Sequence, residues 1–225
     1  MGRFIKSEKD STFVEIKLGL VKLEGNLSIP ENSIGIVLFA HGSGSGRMSP
    51  RNRFVARELN QKGIATLLFD LLTREEEEVD LQTAHLRFDI PLLSQRLVET
   101  TDWFLKSFGN LNLNMGYFGA STGAAAALVA AAERPDIIKA VVSRGGRPDL
   151  AGPHLGSVKC PTLLLVGGYD DDVIDLNKQA MAKMKSEKKL IIIPEATHLF
   201  EEPGKLEQVA QHASNWFLQY LGESD

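Results

Sequence analysis

One cysteine in 225 residues, Cys160, leaves no partner for an intramolecular disulfide and no set of thiolates for a metal cluster. An excess of one charge is also missing: 25 Lys and Arg stand against 29 Asp and Glu, a net charge of −4. Without a basic patch the chain lacks the electrostatic footprint of a nucleic-acid binder. No stretch approaches the roughly twenty apolar residues that span a bilayer. Met1 to Thr12 is polar and charged where a secretory signal carries an apolar run. A cytoplasmic protein with neither nucleic-acid nor membrane partners is expected. The glycine-rich run His41 to Gly46 lacks the Gly-Lys-Ser/Thr of a P-loop, and Ser49 stands where a GxGxxG motif counted from Gly44 needs its last glycine. No nucleotide cofactor and no metal are therefore expected.

What is present is an ordinary globular composition, 43% hydrophobic and 24% charged, with no repeat, low-complexity tract or linker, which predicts a single domain over 1–225. Phe13 to Ile29 alternates apolar and polar residues and reads as an antiparallel hairpin turning near Gly19. Six short apolar runs then read as strands buried on both faces: Ile34 to Ala40, Ile64 to Phe69, Met115 to Phe118, Ile138 to Val142, Thr162 to Val166 and Leu190 to Ile193. Helical spacing separates them, over Arg51 to Gln61, Leu86 to Phe108, Thr122 to Ala132, Val173 to Met184 and Lys205 to Leu221. The acidic run Glu75 to Asp80 reads as a solvated loop or the acidic start of a helix. Alternating strands and helices predict an α/β fold, a mostly parallel sheet with helices on both faces. Ligands of such sheets bind beyond the carboxyl ends of the strands.

The chemically suggestive residues all follow strands. Gly119-Ala120-Ser121-Thr122-Gly123 ends an apolar strand and opens an alanine-rich helix, the context of a serine nucleophile on a sharp, glycine-flanked turn. A serine nucleophile needs a general base and an acid to orient it. His198 follows the last strand, and Asp170, Asp171 and Asp172 follow the strand before it, so the chain order is Ser, acid, His. Asp170 lies nearest the strand end and is the first choice, with Asp172 alternatively the N-cap of the next helix. His212 falls within a helix, while His85 and His154 break the order. The backbone N–H groups of Thr122 and of Ser43, in the glycine-rich loop after the first parallel strand, are the candidate oxyanion donors.

On these residues the sequence resembles the dienelactone hydrolase-like branch of the α/β-hydrolase family, from about Phe13 to the end. The carriers are His41 to Gly44, Gly119 to Gly123, Gly167-Gly168-Tyr169-Asp170 and Ala196-Thr197-His198. Dienelactone hydrolases use a cysteine nucleophile where this chain has Ser121, and Cys160 precedes a strand at the sheet's opposite end, so a serine variant is implied. A further similarity, in Arg47, Ser49 to Arg53 and Ser143 to Pro148, is to bacterial hydrolases sometimes fused to phosphoribosyltransferase domains; no such domain is expected here.

The resemblance and the residues together imply a serine hydrolase for small soluble esters, acting through Ser121, Asp170 and His198. A lactonase, thioesterase, peptidase or catalytically silent ligand binder of the same fold are the alternatives. Arg47 and Arg144 follow strand ends and are candidate contacts for an anionic substrate. The elements consume nearly the whole chain, which leaves only the loops Leu71 to Thr83 and Gly145 to Val158 over the site. An open site with no large cap is expected.

Overall fold

A computed structural model of the protein describes residues 11–222, so the polar stretch before residue 11 lies outside the described part. Strand β1 (Thr12–Leu18) turns through Gly19, at φ 64°, into β2 (Val21–Ser28), and their alternation buries Ile16 opposite Leu23 while the intervening side chains face outward. The strands β3 (Gly35–Ala40), β4 (Ile64–Phe69), β5 (Asn114–Ala120), β6 (Ile138–Arg144), β7 (Thr162–Gly167) and β8 (Lys188–Ile193) follow. All join one eight-stranded sheet in the order β1-β2-β4-β3-β5-β6-β7-β8. The pairs β1/β2 and β2/β4 are antiparallel, and the rest are parallel.

Helices cover both faces. On one, α1 (Pro50–Gln61) and α6 (Lys205–Leu221) bury Val55, Leu59, Val209 and Phe217 against Val37, Phe39, Phe118 and Val142. On the other, α3 (Ile90–Phe108) and α4 (Thr122–Glu133) bury Leu97, Phe104 and Leu128 against Leu38, Tyr117 and Val141. Every residue of β3, β4 and β7 is buried, because a sheet covered twice has no polar face. Each large side chain so enclosed contributes about 1.5–3 kcal/mol. The chain crosses from one side of β3 to the other between β4 and β5, so the loops after β3 and β5 flank the topological switch point.

Several expectations are corrected. The run Leu190 to Ile193 is not buried on both faces: β8 is an edge strand in which Ile192 is 42% exposed and only Ile193 is buried. Leu86 lies outside the long helix, in a 3-10 turn (Leu86–Phe88), because Asp89 caps α3 and Pro91 sits in its first turn. Residues 74–83 are not a loop but helix α2 (Arg74–Thr83), started by a capping box in which Thr73 and Glu76 satisfy each other's backbone N–H. Its acidic run is the helix start, favoured by the positive end of the helix dipole. The last of those acids is not solvated, since Asp80 is buried against Arg87 at 2.6 Å. The stretch after β6 is likewise a 3-10 segment (Pro148–Ser157), broken at Gly152. The described residues include no large cap domain, and none of their helices is long and apolar enough to cross a membrane.

Candidate active site

Ser121 occupies the turn between β5 and α4 with φ 51° and ψ −121°, a conformation that L residues rarely adopt and that costs about 1–3 kcal/mol. The glycines two positions away make the turn possible. A Cβ on Gly119 would lie 2.4 Å from Ala124 Cα, and one on Gly123 would lie 2.2 Å from the Ala40 carbonyl oxygen. Backbone hydrogen bonds hold the turn from both sides. Ser121 N–H donates to Arg144 at 3.2 Å, and the Ser121 carbonyl accepts from Arg147 at 3.0 Å and from Ala124 at 3.1 Å. The serine side chain therefore stands where α4 begins, at the positive end of a helix buried from Thr122 to Ala131.

The other candidates converge from neighbouring strand ends. His198 Nδ1 and Asp170 Oδ2 are 2.6 Å apart. With Nδ1 donating to the carboxylate, Nε2 of His198 carries the free lone pair that a general base requires. Asp170 stands at the N-cap position of α5 (Asp171–Lys183), yet its side chain does not cap the helix. The N-cap alternative for Asp172 is thereby corrected: Asp172 lies inside the first turn of α5. The Asp170 turn and the His198 loop are stitched together, since Gly168 N–H donates to Ile193 and Tyr169 N–H to Ala196 at 2.8 and 2.9 Å. Phe200, buried in the α1 and α6 core, anchors the loop two residues past His198.

A Cβ at Gly145 would lie 3.5 Å from His198 Cε1, and Gly145 directly follows the Arg144 carbonyl that Ser121 binds. Base and serine thus share the carboxyl end of β6. Their side chains make no hydrogen bond to each other among the described residues, an arrangement common in unliganded hydrolytic sites, where catalytic contacts tighten with substrate.

Ser43 lies across from the elbow. A Cβ at the preceding Gly42 would come 3.0 Å from Ser121 Cβ, and the Ser43 and Thr122 hydroxyls are 3.0 Å apart. Ser43 Oγ also donates to the Arg87 carbonyl at 3.3 Å, which leaves Thr122 the donor to Ser43. The two candidate N–H groups are therefore on adjoining backbones, tied together by their own side chains.

Residues 33–219 match the family model described as the alpha/beta hydrolase domain. The chain is an α/β hydrolase. It is 62% identical to a dienelactone hydrolase from Anabaena variabilis, whose crystal structure superposes with a TM-score of 0.91 over 93% of this chain and 97% of that one. An α/β serine hydrolase without lid from Xanthomonas campestris, 17% identical, shares the fold with a TM-score of 0.76 over 96% of this chain and 98% of that one. Two strains of Mycobacterium tuberculosis each carry a protein named "Putative phosphoribosyl transferase" that is 55% identical over 92% of this chain. The chain spans 46% of the length of these curated relatives.

Within this α/β hydrolase, the two arginines singled out from the sequence are not alike. Arg47 is spent on carboxylates: its guanidinium reaches Asp70 and Glu24 at 2.6 Å each, and its backbone N–H donates to Asp70 at 2.7 Å. It staples the loop after β3 to the hairpin. Arg144 is buried, with its side chain on the α1 and α6 face of β6.

The supporting contacts of three residues, His41, Asp80 and Arg87, escaped the sequence reading. His41 Nε2 accepts from Leu71 N–H at 3.0 Å while Nδ1 faces the Gly42 carbonyl at 3.0 Å, so a neutral ring fixes the start of the Ser43 loop. Burial lowers its pKa from the usual histidine range. Asp80 and Arg87 form a latch beneath Ser43, in which Arg87 N–H and Nε both donate to the Asp80 carboxylate. A histidine beside a glycine loop and an Asp and Arg seven residues apart carry no sequence signal for these roles. Cys160 lies before β7, away from the carboxyl ends, and burial pushes its thiol up to about 12, so it stays protonated.

Proposed function

We propose that the protein is a serine carboxylesterase for small soluble esters. The observation that carries the reading is a strained serine at the end of β5 beside a histidine held by Asp170 at 2.6 Å, in the chain order Ser, Asp, His. His198 Nε2 takes the hydroxyl proton as Ser121 Oγ attacks the ester carbonyl carbon. The Ser43 and Thr122 N–H groups hold the oxyanion that forms. His198 then returns the proton to the departing alcohol. Water, deprotonated by His198, cleaves the acyl-serine and releases the acid. Asp170 keeps the imidazole oriented and stabilises its cationic form. No cofactor takes part in this scheme.

The absence of a large cap among the described residues supports small, loosely selected substrates. Labelling with a fluorophosphonate tests the nucleophile: the wild type is expected to label and Ser121→Ala to stay blank. Equal labelling of both proteins would refute the assignment. For the acid, Asp170→Asn is expected to lower turnover of short p-nitrophenyl esters about 10⁴-fold, as the wrong histidine tautomer does in serine hydrolases, while Asp172→Asn stays within a few-fold of wild type. The reverse ranking would move the acid to Asp172.

A further inference from the structure

Among the described residues, Arg144 is a buried cation with no carboxylate to neutralise it. It ends β6, is 7% exposed, and its Nε and Nη1 are closed to solvent with no hydrogen-bond partner among the described residues. Strand alternation sends its side chain to the face of Ala140 and Val142, into the core shared by α1 and α6. The other arginines of this neighbourhood are neutralised, Arg47 by Asp70 and Glu24 and Arg87 by Asp80. For Arg144 the described residues supply no carboxylate, and the ionisable group acting on it is a second cation, Arg51, in the first turn of α1. Arg51 binds Glu201 at 3.0 Å, three residues past His198, and its own Nε is also buried without a partner. Burial, and then Arg51, lower the Arg144 guanidinium to about 10, which still leaves it charged at neutral pH.

Taking a guanidinium out of water is strongly unfavourable unless an anion or a full set of acceptors replaces the solvent. Here the surroundings supply no such anion: Arg51 shares its own charge with Glu201, and the amino end of α1, a twelve-residue helix capped by Ser49, adds positive potential. Two guanidinium groups, each with a buried N–H left without a partner, carry the kind of donors that bind a carboxylate or a phosphate.

We propose that Arg144, Arg51 and the first turn of α1 form a binding site for a small oxyanion, a carboxylate or a phosphate group. The site lies on the α1 and α6 face of the sheet's carboxyl end and does not depend on Ser121 being a nucleophile. An anion seated there joins β6, α1 and, through the Arg51 to Glu201 pair, the loop that carries His198.

The test is thermal unfolding of the full chain titrated with sodium phosphate and, separately, sodium acetate, with ionic strength held constant by sodium chloride. One of the two is expected to raise the wild-type midpoint saturably, by about 3 °C or more at a large excess over Kd. Arg144→Met should lose that shift and, without the anion, unfold no earlier than wild type because an uncompensated charge has gone. Response to phosphate alone assigns the site to phosphate, and response to acetate alone to carboxylates. Arg51→Gln, at a partly exposed position, provides an independent variant and should weaken binding at least fivefold. The proposal is overturned if neither anion shifts the wild type beyond chloride, if Arg144→Met shifts equally, or if Arg51→Gln binds as tightly as wild type. Running Ser121→Ala in parallel separates this site from the hydrolytic reading: its anion response should match wild type whatever becomes of its activity.

Discussion

The serine turn and the acid and base loops border the same site but are built in opposite ways. The β5 to α4 turn lies mid-sheet, where Gly119 and Gly123 sit against backbone with no room for one carbon and Ser121 is held in a strained conformation. The β7 and β8 loops lie at the sheet edge. His198 there is 38% exposed and Asp170 17%; their loops are packed, with Gly167 against the Ala196 and Thr197 carbonyls and Phe200 in the core, but the two side chains themselves are held by one another. At the centre, backbone geometry positions the group, and the rest of the fold enforces it. At the edge, packed backbone places the loops while the mutual hydrogen bond orients the two side chains, and little of the fold depends on that one bond. Substitutions should therefore separate activity from stability differently in the two places.

The largest expected effect is at the edge. His198→Ala should lower ester turnover about 10⁴-fold or more while its urea midpoint stays close to wild type. A large loss of stability would show that the base loop is structural after all. At the centre, Gly123→Ala should destabilise by about 3 kcal/mol or leave the chain unable to fold, because the carbon it adds meets the Ala40 carbonyl at 2.2 Å and backbone must move. A Gly123→Ala protein as stable as wild type would mean the turn is looser than its geometry. Smaller, and opposite in sign, is Ser121→Gly, which removes the hydroxyl and relieves a positive φ. It should abolish turnover yet raise stability by about 1 kcal/mol, read from chemical denaturation.

The smallest effect concerns His41, between the two regions. Its folded-state pKa lies below the unfolded value, so the unfolded chain binds the proton more readily. Its contribution is full above the unfolded pKa of about 6.5 and shrinks as pH falls below that. Denaturation midpoints at pH 7.5 and 5.5 should show a drop at the lower pH that is reduced in His41→Gln. An identical drop in both proteins would remove His41 from the account.

The elements were legible because burial on both faces writes itself as nearly continuous apolar runs, as in Ile64 to Phe69, broken only by Thr66, where predicted and observed bounds coincide. The edge strand β8 was misread for the same reason, since Leu190 to Ile193 is as apolar as a central strand although its neighbour lies on one side only. Helix α2 was ambiguous because a capping box and a solvated acidic loop use the same residues, and only the Thr73 and Glu76 geometry separates them. Of the candidate site residues, Ser121, Asp170 and His198 were legible because each follows a strand in a fixed chain order. The partners of Arg47 were not, since Glu24 and Asp70 approach it from the hairpin and from β4.

The sequence by itself determined the α/β class, the hairpin, the strand-end positions of Ser121, Asp170 and His198, and the lack of any disulfide within the chain. Each of these is a matter of local pattern: periodicity, a glycine spacing, or order along the chain. Only the tertiary structure decided which of three consecutive aspartates meets His198, that Arg47 is neutralised and that Arg144 is not. Those outcomes depend on distances between segments far apart in the chain, and charge pairing falls off too steeply with distance for composition to stand in for geometry.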